Sequence, residues 1–225
     1  MDSYKHHSSR EPNNSGQKTS YGARALSAAV NELVQHGVIP VSKHTDYLGQ
    51  ASLYLKQAYR AVTILRESTQ ALGDSERPNQ VPWDWFLLHQ DEDIRAGLIG
   101  INPYRPVPIH DHPGASGIML VLEGHVVERS YQVDPETEGS GDKVKLIPGQ
   151  SRYLEKDGWS VFMSDWNNLH SLSAMSRPAM ALSIHFHPNR EKARSWFHVT
   201  DSNPDPEKGI MAVRSHLALL AHRTS

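Results

Sequence analysis

The spacing of hydrophobic positions changes once along this chain, near residue 79. Before that point apolar residues recur every three to four positions, in ARALSAAVNELVQHG and again in TDYLGQASLYLKQAYRAVTILRESTQALG. This is the period of an amphipathic helix, and each run ends in a glycine, the residue most common just after a helix end. The pattern predicts two packing helices within residues 21–78, ending near Gly37 and Gly73.

Beyond the polar break GDSERPNQ the period shortens, and short apolar stretches follow one another with turn residues between them. The candidate strands are WDWFLLH, IRAGLIGI, VPIHDH, GIMLVLEG, HVVERSYQV, KVKLIPG, SRYLEK, WSVFMSDW, LHSLSAM and MALSIHFH. Many short strands without intervening helices are typical of an antiparallel sandwich or barrel. We therefore expect an all-β core over residues 79–203 that forms a small antiparallel β-barrel, with the N-terminal helices and a C-terminal helix over 204–225 packed outside it. Residues 1–20 are polar and predict a disordered tail.

Composition limits the chemistry and the partners. The chain contains no cysteine, so disulfides and thiolate metal sites are excluded and any metal must bind through nitrogen or oxygen. A formal net charge of -2 gives no electrostatic reason to expect a nucleic acid or an anionic membrane as partner. No apolar run approaches the roughly 20 residues that span a bilayer, and the polar N-terminus is unlike a secretory signal. We expect a cytoplasmic protein, which suits the lack of cysteine.

His110 and His112, in the stretch VPIHDHPG, are candidate metal ligands. Positions i and i+2 of a strand face the same side, so two imidazoles there can chelate one ion. An isolated H-x-H pair also occurs on solvated sheet faces, and the residues that follow it are therefore more informative. The spacing from His112 to Gly117 and Gly124 matches the first cupin motif, HxH-x(3,4)-E-x(6)-G. Gly117 stands where that motif has its glutamate ligand.

The resemblance to the cupin superfamily implies a third histidine from a later strand, and His170 in NNLHSLSA is placed to supply it. The implied ligand set is His110, His112 and His170, with no carboxylate. Imidazole suits Fe(II), Cu, Ni and Zn alike, so the ligand type does not select the metal. Such a site leaves the charge of a dication uncompensated and would accept an anionic ligand such as a thiolate.

A second group of polar residues occupies MALSIHFHPN, where Ser183, His185 and His187 alternate with apolar residues. On a strand these three side chains share one face, and we expect them to point inward. Buried polar groups need hydrogen-bond partners, so an inward row predicts a relay beside the metal. The alternative is a sheet with one solvated face.

These stretches together resemble the layout of cysteine dioxygenases and related thiol dioxygenases over about residues 83–197. The features are IHDH, the later LEG turn, a further LH, and S-x-H-x-aromatic. The resemblance implies a mononuclear non-haem Fe(II) enzyme that uses O2 to oxidise a small thiol, cysteine-like or a mercaptocarboxylate, to its sulfinic acid.

The resemblance also implies roles for individual residues. The iron ligands would be His110, His112 and His170. Ser183 and His185 match the first two members of a Ser-His-Tyr relay, and His187 replaces the tyrosine. Gly117 stands where some animal members carry a cysteine that cross-links to that tyrosine, so no cross-link is expected here.

The residues that would choose the substrate depart from the family pattern. The family holds a substrate carboxylate with an arginine on a strand before the HxH strand, and VPWDWFLLH contains none. Arg190 and Arg95 are the candidates that remain for binding the substrate, together with Arg194. Trp85 and Trp83 are candidates for lining a pocket that takes a larger or less charged substrate.

Two other function classes stay open at this point. Three-histidine cupins also act as oxygenases or lyases on substrates that are not thiols, and others bind a metal or a ligand without catalysis. The identity of the thiol and the oligomeric state do not follow from these motifs.

Overall fold

The computed structural model describes residues 15–71, 83–103, 106–139, 141–164, 168–187, 194–200 and 209–216. The helices are α1 (Ser15–Gln35) and α2 (His44–Ala71), joined by a 3₁₀ turn at Val41–Lys43. The strands are β1 (Trp83–Gln90), β2 (Ile94–Ile101), β3 (Val107–His110), β4 (Ser116–Glu123), β5 (Val126–Val133), β6 (Lys143–Leu154), β7 (Trp159–Phe162), β8 (Leu169–Ala174), β9 (Ala179–Phe186), β10 (Trp196–Val199) and β11 (Ile210–Ser215). Neither described helix combines the length and the hydropathy that a membrane span requires.

The strands form two antiparallel sheets. One has five strands in the order β1-β2-β9-β4-β7, and the other closes on itself in the order β10-β11-β6-β5-β8-β3. The expected antiparallel β core with two N-terminal helices outside it is confirmed. The first helix ends as predicted, because Gly37 has a φ of +71° and Val38 N–H donates to Leu33 C=O at 2.9 Å.

The helices cover one face of the five-stranded sheet. Along β9, Leu182, Ile184 and Phe186 pack into one buried cluster with Leu33 of α1 and Leu55 of α2. Strand side chains alternate between faces, so the residues between these apolar positions point to the other side, toward the closed barrel. The sheet is therefore a partition between an apolar helix layer and an interior that contains the polar residues.

Two predicted boundaries are corrected by the structure. Residues 15–20 belong to α1 rather than to a disordered tail, and residues 1–14 lie outside the described residues. The predicted helix over 204–225 is wrong at Ile210–Ser215, which form β11 between β10 and β6. The backbone groups of both neighbouring strands pair with β11, and this long-range pairing outweighs the local helical pattern. The remainder of 204–225 lies outside the described residues, apart from 209 and 216.

Removing a side chain from the layer between sheet and helices should destabilise the protein. Leu120 of β4 is fully buried there, and we expect Leu120→Ala to lower the free energy of unfolding by about 2–5 kcal/mol. Leu53→Ala is the matched control, because Leu53 of α2 is 52% exposed, and we expect a change within about 0.5 kcal/mol. Urea unfolding at an unchanged m-value measures both. Equal losses in the two variants would contradict the packing described here.

Candidate metal centre

Three buried histidines converge at one point inside the molecule. His110 ends β3, His112 lies two residues beyond it, and His170 lies on β8. The centroids of their rings are 4.8, 4.9 and 5.0 Å apart, which is nearly an equilateral triangle. One ligand nitrogen from each ring lies within 4.8 Å of the others, so these three residues form a group able to hold a metal ion.

Backbone carbonyls orient the first two imidazoles. His110 Nδ1 donates to Pro108 C=O at 2.8 Å, and His112 Nδ1 donates to Asn168 C=O at 3.3 Å. The Asn168 side chain also accepts the backbone N–H of His112 at 2.7 Å and donates to Ser164 C=O at 3.1 Å. Because carbonyls only accept, the proton is on Nδ1 of each ring and Nε2 is left as a ligand atom.

A buried carboxylate orients the third imidazole. His170 Nδ1 donates to Glu128 Oε1 at 2.8 Å, and Glu128 of β5 is only 1% exposed. Burial raises the pKa of Glu128, but the hydrogen bond and charge of His170, with smaller contributions from Ser160 and Arg152, together outweigh it. The pKa therefore lies below its ordinary value and the carboxylate is charged. A carboxylate behind a ligating imidazole increases the basicity of the ligand. The donor set therefore fits a divalent transition metal.

Burial keeps two of the three candidate ligands neutral. It holds the pKa of His110 and of His112 well below the ordinary histidine value, and the positive charge of Arg194 acts in the same direction. Metal binding requires the unprotonated imidazole. Both residues are therefore ready to bind a metal at neutral pH.

The five-stranded sheet faces this centre with a row of residues in register. Arg95 pairs with His185, His185 pairs with Gly117, and Gly117 pairs with Phe162. His185 Nε2 lies 3.0 Å from Ser183 Oγ, so the structure brings together two members of the predicted relay. Burial holds the pKa of His185 well below its ordinary value, with Arg194 and Arg95 adding to the effect. The ring is neutral, and its centroid is 5.1 Å from that of His112.

An aromatic ring fills the space that a side chain at position 117 would need. A Cβ at this position would collide with the Phe162 ring and with Ile184 C=O. Phe162 lies over the glycine and stacks on His112, with ring centroids 4.2 Å apart and an angle of 26° between the planes. Gly117, the residue in the glutamate position of the cupin motif, therefore leaves room for Phe162. The Phe162 ring in turn packs against the face of the His112 imidazole.

His187 does not join the inward row, and this part of the prediction is wrong. β9 ends at Phe186, and His187 has a φ of +48° that turns its side chain away from the interior. Its backbone N–H donates to Asp93 C=O at 2.7 Å, and its Nε2 is 3.3 Å from Tyr47 Oη on α2. The side chain is 48% exposed. The prediction assumed that the two-residue alternation of β9 continues to position 187, but the strand ends at Phe186.

A cavity of about 230 Å³ lies against the three histidines. Its walls hold aromatic, cationic and polar side chains from both sheets. They include Trp83, Trp85, Trp196, Phe162, Arg95, Arg194, Ser183 and His185. Four of the five predicted substrate-site residues thus line the pocket, namely Arg95, Arg194, Trp83 and Trp85, whereas Arg190 lies outside the described residues.

Several residues of the site were not found from the sequence. Glu128 could have been suspected, because in HVVERSYQV it shares a strand face with the apolar Val126. Trp196 could have been paired with Arg194 by its two-residue spacing. Nothing in the local sequence marks Asn168 or Phe162, whose roles depend on neighbours distant in the chain.

Comparison with known proteins finds low-identity similarity to two curated proteins that are named for thiol oxidation. No family model matches the chain. It is 24% identical to 2-aminoethanethiol dioxygenase of Homo sapiens over 130 residues, which are 48% of this chain and 47% of that protein. It is 22% identical to plant cysteine oxidase 1 of Arabidopsis thaliana over 147 residues, or 64% and 50% of the two chains. The chain thus spans about half the length of the curated relatives it matches.

Solved structures give a weaker likeness. A protein with a double-stranded β-helix domain from Klebsiella pneumoniae matches 50% of this chain and 84% of its own, with 15% identity and a TM-score of 0.38. The curated relatives confirm the resemblance to thiol dioxygenases of the cupin superfamily.

Loss of the charge on Glu128 should weaken metal binding without removing a ligand. We expect Glu128→Gln to reduce the affinity for Fe(II) about 10- to 100-fold, because the amide accepts the His170 hydrogen bond without the negative charge. Glu155→Gln is the control, since Glu155 is exposed. Anaerobic competition with a chromophoric chelator measures both affinities. An unchanged affinity in Glu128→Gln would show that this carboxylate does not act on the metal.

Proposed function

We propose, from the likeness to thiol dioxygenases of the cupin superfamily, that this protein is an Fe(II)-dependent dioxygenase that oxidises a small thiol to its sulfinic acid. The observation that carries the proposal is the buried group of three histidines, each with Nδ1 occupied and Nε2 free, at the wall of a small cavity. A cytoplasmic location remains a prediction.

The reaction balances without another reductant. A thiol R–SH and one O2 give the sulfinic acid R–SO2H, with both oxygen atoms bonded to sulfur. Sulfur loses four electrons and dioxygen gains four. When bound, Fe(II) would supply the centre at which the thiolate and dioxygen meet.

The residues of this chain have separable tasks in that reaction. His110, His112 and His170 would hold the metal from one side and leave the side toward the cavity for substrate. His185, whose Nε2 is hydrogen-bonded to Ser183 Oγ, provides a neutral imidazole beside the ligands, where it can hydrogen-bond a reacting group. The aromatic rings of the pocket wall exclude water from the reacting atoms.

Two features favour an enzyme that acts on a thiol over the other classes. The relatives are named for the oxidation of 2-aminoethanethiol and of cysteine, both small thiols. The buried Ser183–His185 pair beside the ligands is an additional polar element for which simple metal binding has no need.

Oxygen consumption tests the proposal directly. Protein reconstituted with iron should consume O2 with at least one of cysteine, 2-aminoethanethiol, 3-mercaptopropionate and mercaptosuccinate, and mass spectrometry should find the thiol with two added oxygen atoms. His170→Ala should abolish the activity, whereas His125→Ala, a change at an exposed histidine, should retain it. No thiol-dependent uptake by the iron-loaded protein would sink the proposal.

The two histidines near the end of β9 should differ in effect. His185 faces the ligands, so we expect His185→Ala to lower kcat about 10- to 100-fold with iron content unchanged. His187 points toward α2 and solvent, so we expect His187→Ala to leave kcat unchanged. Steady-state oxygen uptake and iron analysis of both variants measure this difference. A larger loss in His187→Ala would contradict the assignment.

A further inference from the structure

Two arginines share the cavity with the three histidines. Arg95 lies on β2 of the five-stranded sheet, and Arg194 lies two residues before β10 of the closed barrel. Both line the same cavity. Each sheet thus contributes one guanidinium, a group that stays charged in proteins.

Neither guanidinium has a carboxylate partner within the pocket. The described lining residues include no aspartate or glutamate, and Arg95 Nε is buried without a hydrogen-bond partner. Burial and the charge of Arg95 lower the pKa of Arg194 to about 10, while Asp111 acts in the opposite direction. Asp111 is outside the lining, and its Oδ1 already accepts the backbone N–H of Ser195 at 2.7 Å. Two like charges are therefore held in one cavity, an arrangement that a bound anion stabilises.

Each arginine rests on its own indole ring. The Arg95 guanidinium carbon is 5.2 Å from the centroid of Trp85, and that of Arg194 is 5.7 Å from the centroid of Trp196. Gly97 makes room for Trp85, because a Cβ there would lie 2.5 Å from Trp85 Cζ2. A guanidinium stacked on an aromatic face keeps its N–H edge available for bidentate binding of a carboxylate. The cavity therefore contains two guanidiniums, each stacked on an indole of a different sheet.

The size of the cavity limits the ligand to a small molecule. A volume of about 230 Å³ lies below the range of about 300–1,000 Å³ that is typical of ligand pockets. We propose that the pocket selects a small thiol carrying two carboxylates, one bound by Arg95 and the other by Arg194. The choice of a thiol rests on the proposed function, whereas the two anion positions rest on the arginines. An amine such as 2-aminoethanethiol would bring an ammonium group toward two cations and is selected against.

Anaerobic titration calorimetry on the Fe(II)-loaded protein measures this selectivity without turnover. The probes are mercaptosuccinate, 3-mercaptopropionate and 2-aminoethanethiol, which present two carboxylates, one carboxylate and one ammonium. We expect mercaptosuccinate to bind about tenfold or more tightly than 3-mercaptopropionate, the effect of one additional charge-assisted contact. We expect no measurable binding of 2-aminoethanethiol.

Variants assign the two contacts. Arg95→Gln and Arg194→Gln should each weaken mercaptosuccinate binding at least tenfold and raise KM more than they lower kcat. Arg60→Gln, a change at an exposed arginine of α2, should alter neither. Arg95→Lys and Arg194→Lys keep the charge but lose the bidentate edge, and intermediate affinities are expected. Iron content and melting temperature show whether each variant is folded.

The outcomes separate this inference from the proposed function. If mercaptosuccinate binding needs both arginines but no thiol causes oxygen uptake, the two anion positions would be supported and the proposed dioxygenase activity would be contradicted. Oxygen uptake with 2-aminoethanethiol at a kcat/KM equal to that with mercaptosuccinate would support the dioxygenase and overturn the selectivity. Mercaptosuccinate binding that neither glutamine variant changes would also overturn it.

Discussion

Three imidazoles can meet at one point in this core because a hydrogen-bond acceptor lies behind each of them. A buried ring nitrogen without a partner would cost free energy, and a freely rotating ring would not present a fixed ligand atom. Pro108, Asn168 and Glu128 each satisfy one Nδ1–H and so set the direction of Nε2. The arrangement inside the closed barrel depends on this constraint, since the acceptors lie on or directly beside three of its strands, β3, β5 and β8.

The five-stranded sheet separates two environments that differ in polarity. Its outer face is apolar and is covered by the helices, while its inner face carries Arg95, Ser183 and His185. Because side chains alternate between the two faces of a strand, β9 contributes apolar residues to the helix layer and polar residues to the cavity. Two glycines of this sheet make room for aromatic rings on the inner face. Trp85 packs against Gly97 and Phe162 packs against Gly117, and both rings fill space beside the polar residues. The result is a small cavity with aromatic walls and two arginine side chains in its lining.

Local pattern predicted much of this correctly, and its errors have a common origin. The helices, most of the strands, the pair His110 and His112 and the facing of Ser183 and His185 follow from periodicities of two or of three to four residues. His170 was implied by the resemblance to the cupin superfamily. The prediction failed at His187, where the strand ends one residue earlier and a left-handed turn redirects the side chain. It failed again at Ile210–Ser215, where open edges of two strands supply partners that a local helical pattern cannot anticipate.

The sequence by itself determined which chemistry is available: nitrogen ligands in an H-x-H spacing, a third histidine on a later strand, and no thiol of its own. Tertiary structure decided what surrounds them. It brought Glu128 behind His170, placed Phe162 over Gly117, and put Arg95 and Arg194 into one cavity from separate sheets. Spacing along a chain can specify which face of a strand a side chain occupies. It cannot specify which residue from a distant strand will lie opposite, because that depends on sheet register and on how two sheets close around a common core.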